Sequence, residues 1–409
     1  MTDTDTHALS RREFLWVIAT GALGLRALRG CATPSASLGA VDAGGDRFLY
    51  AGGYTAGGHG EGIYLLRMAR DTGALTLEGV AAATENPSFV IPAPDGRALY
   101  AVNEVAQSGG RPTGTVSAFA RDVHSGALTA IGARRDSRGA APCYLSLDRR
   151  GRFLFVANYG GGSVAVLPIL EDGSLGEATS SVQHEGRGAD PKRQAAPHAH
   201  CIVAAPDNRF VLVADLGLDA ILVYAFDARA GTLSQSPVAR GALAPGAGPR
   251  HLVFHPGGRA VYVTNELDST VTTFRYDAAR GALDAVQTVA TLGEPFASRN
   301  APSDVHLHPS GRFLYLSNRG HDSVAVFAIE PATLALRLVH TVPTEGSWPR
   351  NFALDPSGRF LLVANQRADS VVVLRVDGDT GRLTSTGQRI EIPAPTCLRF
   401  ADEAAGAWR

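Results

Sequence analysis

Gly311-Arg312-Phe313-Leu314-Tyr315, a turn glycine, an arginine and a short strand-forming run, is one of seven copies of a single unit. The others are Asp46-Arg47-Phe48-Leu49-Tyr50, Gly96-Arg97-Ala98-Leu99-Tyr100, Gly151-Arg152-Phe153-Leu154-Phe155, Asn208-Arg209-Phe210-Val211-Leu212, Gly258-Arg259-Ala260-Val261-Tyr262 and Gly358-Arg359-Phe360-Leu361-Leu362. Their arginines stand 47 to 57 residues apart, so the repeat is about fifty residues long. Each unit holds four strand candidates. One precedes the turn, as in 251–254, and one follows the arginine. A third is rich in β-branched residues, as in 323–327, and the fourth follows a Gly-x-Leu turn such as Gly231-Thr232-Leu233 or Gly281-Ala282-Leu283. Four antiparallel strands per repeat make a propeller blade, and closing the ring protects the sheet edges. A parallel solenoid calls for shorter repeats without hairpins. The first copy lacks a preceding strand, while the chain finishes with an orphan one at 396–400, which is expected to become the innermost strand of the first blade. The fold is therefore read as all-β, a seven-bladed β-propeller occupying 41–409.

Composition agrees. Of 409 residues, 45% are hydrophobic and 19% charged, enough apolar material for a large core and too little charge for disorder. The 46 glycines and 23 prolines favour many short strands joined by turns. Lys plus Arg number 38 against 39 acidic residues, so no basic field points to nucleic acid or an anionic membrane. Cys31, Cys143, Cys201 and Cys397 are scattered with no CxxC pair, which argues against a zinc knuckle or redox motif.

Residues 1–40 read as an address. Ser10-Arg11-Arg12-Glu13-Phe14-Leu15 sets two arginines before an apolar run, 14–25, that is too short for a stable membrane span but suits a signal-peptide core. The paired arginines predict a twin-arginine export signal and a periplasmic protein. Leu28-Arg29-Gly30-Cys31 loosely resembles a lipoprotein cleavage box that would anchor the chain at Cys31. Soluble release at 37–40 is the alternative.

Registering the copies on their arginines exposes three columns. Six residues on come Asn103, Asn158, Asp215, Asn265, Asn318 and Asn365, with Gly53 in the first copy; such uniformity reads as an Asx side chain closing a turn. Nine residues before the arginine come Ser88, Cys143, His200, Arg250, Ser303 and Arg350, and seven residues after it Glu104, Tyr159, Leu216, Glu266, Arg319 and Gln366. These two vary and are rich in ionisable groups. Both fall at inner-strand starts or strand-end turns, which in a propeller face one mouth of the central channel. Either they line a solvated channel and pair with one another, or they form a site. The polar stretch 185–197, with Arg187, Lys192 and Arg193, interrupts the spacing just before His200 and is expected to be a surface loop near that mouth.

At these residues the sequence resembles the lactonase family of seven-bladed propellers, which includes 6-phosphogluconolactonases and carboxy-cis,cis-muconate cyclases. The stretches that carry the resemblance are PHAHCIVAAPDNRFVLVADLGLD (197–219), GAGPRHLVFHP (246–256), VTNEL (263–267), SNRGHDSVAVF (317–327) and PRNFALDPSGRFLLVANQ (349–366). The resemblance implies that His200, Arg250 and Glu266 are active-site residues with a further arginine on the channel wall, Arg350 or its competitor Arg319. His198, Asn265 and His251, beside them in sequence, join the arginines as candidate substrate contacts. It also implies a small-molecule lactone as substrate. Phosphorylated sugars are cytoplasmic, so the export signal leaves the substrate open.

Opening a lactone needs an activated water and a stabilised oxyanion. Glu266 is expected to act as base and His200 as proton shuttle, with Arg250 and Arg350 holding a carboxylate or phosphate or meeting the developing oxyanion. No cofactor is called for. His198 and His200, like His306 and His308, share strand faces, but acidic partners at ligand spacing are not evident, although Asp304 is near, so no metal is assigned. No Gly-x-Ser-x-Gly elbow is present. The alternatives are a lactonising enzyme of the muconate cycloisomerase type and a non-catalytic periplasmic binding propeller. A binding platform wants exposed aromatics, whereas aromatics make up 7% of the chain and many sit in strands.

Overall fold

In the computed structural model, which describes residues 46–402, each repeat arginine opens a second strand buried along nearly its whole length. The export signal, the Cys31 anchor and the 40/41 boundary lie outside those residues. Seven sheets form. One blade runs Pro249–Phe254, Ala260–Asn265, Thr270–Asp277 and Ala282–Ala290 from its inner to its outer strand, every neighbour antiparallel. In two blades the outermost strand is split: Leu128–Ala130 is followed by Arg135–Asp136, and Thr232–Leu233 by Ala239–Ala242. The Gly231 turn therefore launches two residues of strand before the chain rejoins the sheet. The last strand, Pro395–Phe400, pairs with the first, Arg47–Gly53, Tyr50 opposite Arg399 and Ala51 opposite Leu398. Pro395–Phe400 also packs against the innermost strands Pro349–Leu354 and Val90–Pro92 on its two sides, so the ring is closed. Among the described residues only short 3-10 turns interrupt the strands, and no helix is long and apolar enough to cross a membrane.

The repeat signature is explained by contacts between blades. Arg152 donates to the carbonyl of Ala228, Arg209 to Ala279, Arg312 to Gly378 and Arg359 to Arg70, each on the outer hairpin of the following blade. Three residues beyond the arginine, Tyr50, Tyr100, Tyr262 and Tyr315 reach the carbonyls of Gly126, Gly173, Leu334 and Gly381 in the same way. The glycine of the Gly-x-Leu turn completes the joint. Gly231 has φ +69°, and a Cβ there would stand 2.1 Å from the ring of Phe153 in the preceding blade, so both backbone and packing require glycine.

The Asx column is internal to the blades. Asn103 donates to Thr84 and to the carbonyl of Glu85, Asn158 to the carbonyl of Ser137, and Asn365 to that of Thr344, tying the second strand to the segment that precedes the inner one. Asp215 is the exception because all three of its partners are donors or a histidine nitrogen: the His198 and Gly217 amides and His184 Nδ1 at 2.6 Å.

Candidate active site

The innermost strands begin with a bulge. Ala199 pairs with Asp215 but Cys201 with Ala214; Pro349 pairs with Asn365 but Asn351 with Ala364; Pro249 pairs with Asn265 but Leu252 with Val263. One extra residue is accommodated each time, and it belongs to the variable column nine before the arginine: His200, Arg350, and Arg250 with its neighbour His251. A bulge re-aims side chains that a regular ladder would send into the sheet. The varied residues thus meet one another instead of packing in the core.

Glu266 is the hub. Its Oε1 accepts from Arg193 Nη2 at 2.7 Å and its Oε2 from Arg319 Nη2 at 2.7 Å, with Arg250 Nε 3.2 Å from Oε2. Burial opposes the charge, yet Arg319, Arg250 and Arg193 hold its pKa well below the ordinary carboxylate range. Arg250 is itself fixed by the Ser303 carbonyl at 2.8 Å and His251 Nε2 at 3.2 Å. Burial, and then the charge of Arg350, depresses the pKa of Arg250. Arg319 is lowered by burial as well, with Arg250 and Arg350 adding to it. The cations are crowded.

His200 lies beside this group, buried, with Nδ1 3.7 Å from Cys143 Sγ and its ring 5.4 Å from Tyr159 and 5.2 Å from His251. Burial, then Arg250 and His251, push its pKa well below that of a free imidazole, so the ring is neutral at neutral pH; Glu266 pulls the other way and favours the protonated form. Arg350 donates to Tyr54 Oη at 3.1 Å, and Tyr54 donates to Glu104 Oε1 at 3.0 Å. Among the described residues Arg350 forms no ion pair with a carboxylate, and its Nε and Nη1 make no hydrogen bond.

Beneath lies a second tier. His251 Nδ1 is 2.7 Å from Asp304 Oδ1, and Asp304 Oδ2 is 2.9 Å from His306 Nε2 and accepts from Asn351. This contact leaves His251 Nε2 to accept from Arg250, and burial followed by the Arg250 charge lowers the His251 pKa to about 3. Phe89 and Tyr144 pack beside it, ring centroids 4.3 Å apart, with Tyr144 4.9 Å from His251. Together they floor the site.

The structure brings His200, Arg250, Glu266, Arg319 and Arg350 into one cluster. His198 sits at the rim, stacked on Tyr159 at 4.5 Å with Nδ1 2.9 Å from the Tyr159 carbonyl oxygen. His251 supports Arg250 from below. Asn265 is turned into its own blade, donating to Thr270 and Thr272, so it helps to hold the strand that carries Glu266 rather than facing a ligand. Glu266 as base fits poorly with three arginines on one carboxylate, because such a carboxylate gives up little by staying charged. Sequence reasoning passed over Tyr54 and noted Asp304 only for its nearness to the histidines, yet both left a signal. Tyr54 is the first copy's member of the column that holds Glu266, hidden because Gly53 replaces the Asx marker. Asp304 follows Ser303 by one residue, in a column the bulge also turns inward. Among the described residues no three His, Cys, Asp or Glu side chains are grouped to hold a metal ion.

A closed ring of seven four-stranded blades with an Arg-clamped carboxylate and a neutral histidine at one mouth defines a class. Residues 48–400 match the family described as Lactonase, 7-bladed beta-propeller, and the chain belongs to it. It is 36% identical to a 6-phosphogluconolactonase of Bacillus subtilis over 86% of this chain and 97% of that protein. It is 32% identical to a 6-phosphogluconolactonase of Formosa agariphila over 86% of this chain and 99% of that one. The solved structure of the periplasmic gluconolactonase PpgL of Pseudomonas aeruginosa superimposes with a TM-score of 0.80 at 36% identity, covering 87% of this chain and 99% of that one.

Proposed function

We propose that this chain hydrolyses the lactone of a sugar acid at the channel mouth. The observation that carries the reading is the juxtaposition of a neutral, buried His200 with the Glu266–Arg250–Arg319 cluster, a proton acceptor beside a concentration of positive charge. The 6-phosphogluconolactonase and gluconolactonase relatives support it. His200 takes a proton from water as the water oxygen attacks the lactone carbonyl carbon. Negative charge gathers on the carbonyl oxygen and is met by an arginine, with Arg250, fixed from three sides, as the best placed. The tetrahedral adduct collapses by breaking the bond between that carbon and the ring oxygen, and the imidazolium of His200 returns the proton to the departing oxygen. The product is the open hydroxy acid. Glu266 keeps the arginines in place, and its charge favours the transient imidazolium. Arg350, without a carboxylate of its own, holds an anionic or hydroxyl-rich part of the substrate.

The Ser10-to-Leu15 pattern, together with the periplasmic location of the Pseudomonas aeruginosa gluconolactonase, supports export to the periplasm by a twin-arginine signal. The direct test is proton release from glucono-δ-lactone, its 6-phosphate and a carboxymuconolactone by the mature protein, followed with a pH indicator. Catalysed opening of a sugar-acid lactone is expected. Catalysis confined to the muconolactone would replace the reading with the cycloisomerase type, and failure on all three would leave a binding propeller.

A further inference from the structure

Resting on that reading, we propose that Arg193 is a specificity residue, an arm that leaves Glu266 for a second anionic group on the lactone and thereby selects anionic over neutral sugar lactones. Three observations carry it.

The first is placement. Arg193 belongs to the insertion 185–197, yet its guanidinium crosses to Glu266 in the following blade and to Tyr159 Oη in the preceding one. Of the three arginines on Glu266, the side chains of Arg250 and Arg319 are only 2% and 6% exposed, while that of Arg193 is 31% exposed. Among the described residues only its Nη2 is engaged, to Glu266 and Tyr159, which leaves Nε and Nη1 to meet a ligand's oxygens in a fork.

The second is that the loop is built to present it. Both feet of the insertion rest on Asp215, through His184 Nδ1 at one end and the His198 amide at the other. Next to Arg193, Gln194 is fully buried and donates to the Leu216 carbonyl at 2.8 Å and to Asp219 at 2.6 Å. Asp190 accepts from the amides of Lys192 and Arg193. A solvated insertion needs no such anchoring, whereas a recognition arm pays for its affinity in advance by being ordered.

The third is charge. Among the described residues, Arg193, Arg250 and Arg319 pair with Glu266 and Arg350 reaches Glu104 through Tyr54, so four positive charges at the mouth meet two carboxylates there, with Asp304 acting on Arg250 from the tier below. The surplus matches a phosphate or a second carboxylate, and a neutral lactone leaves it uncompensated. When the anion takes Arg193, Glu266 loses one of three cations and its remaining charge acts more fully on His200.

The test compares kcat/KM for glucono-δ-lactone, its 6-phosphate and a glucarolactone bearing a free carboxylate, using wild type, Arg193→Ala and Arg193→Lys. Arg193→Ala is expected to lower the anionic-to-neutral ratio tenfold or more, chiefly through KM, with Arg193→Lys restoring part of it. The two anionic substrates tell phosphate from carboxylate. A ratio unchanged in Arg193→Ala, with all three substrates falling together, would mean that the arginine only holds the loop and would overturn the proposal. If the wild type opens none of the lactones, the hydrolase reading fails separately. Calorimetric binding of 6-phosphogluconate against gluconate then reads the same preference, and equal weakening of both in Arg193→Ala would overturn it.

Discussion

Arg250 shows how much of this site is built to hold one cation still. Its guanidinium is shared among the Ser303 carbonyl, His251 Nε2 and Glu266, and His251 is oriented by Asp304 below it. A buried imidazole that must stay neutral to accept a hydrogen bond makes stability depend on pH. The folded pKa of His251 is about 3, against roughly 6.5 for a free histidine. Between those values the unfolded chain binds the extra proton, so this share of stability is complete above pH 6.5 and is lost as pH falls toward 3. His200 is shifted in the same direction and adds to the effect. Thermal melts from pH 7.5 to 4 should therefore show a falling midpoint, steepened by at most about 1.4 kcal/mol per pH unit for each histidine. His251→Asn should flatten that slope, and a variant with the wild-type slope would contradict the assignment. His200, Arg250, Glu266, Arg319 and Arg350 were legible in the sequence because they break a repeat that is otherwise uniform. Their hydrogen-bond partners were not, since the distance between Glu266 and Arg193 depends on how an aperiodic loop folds.

At the scale of elements, the inner-strand bulge and the insertion 185–197 decide which side chains meet. The bulge could not be read from spacing. Every blade in which it is seen carries the same extra residue, so the repeat looks regular when counted, and only the paired register reveals it. The Gly-x-Leu turns and the repeat arginines were readable because one contact, a hairpin seated on the preceding blade's aromatic ring, is required again and again. The split outer strands were not, because the residues after Gly231 retain strand character while the chain leaves the sheet. Asp215 makes an element-level prediction. Two backbone amides and a histidine nitrogen converge on its carboxylate, so Asp215→Asn turns an amide donor toward one of them. The cost should be about 1–3 kcal/mol of stability, read from urea unfolding, with faster hydrogen exchange across 185–197. Unchanged exchange there would show that the loop is held by other contacts.

Over the whole molecule, ring closure turns seven similar repeats into one site. Tyr54 and Glu104 come from the first two blades, Cys143 and Tyr159 from the third, His200 and Arg193 from the fourth, and Arg250 and Glu266 from the fifth. Arg319 and Arg350 complete the circle from the sixth and seventh. The number of blades and the closure by Pro395–Phe400 followed from counting copies and noting that the first lacks an inner strand while the chain finishes with an orphan one. The chemistry did not follow from the count, because a propeller is a frame that many activities share. What ties this frame to lactone opening is the claim that His200, Arg250 and Glu266 act as a unit at one mouth. The measurement that tests it most directly is steady-state hydrolysis of the preferred sugar lactone by Arg250→Ala and Glu266→Gln beside the wild type, at matched folded fractions. A loss of about a hundredfold or more in kcat for Arg250→Ala, the scale of removing an oxyanion partner, with a comparable collapse in Glu266→Gln, is the predicted result. Full turnover in both variants would place the reaction elsewhere on the molecule and contradict the account.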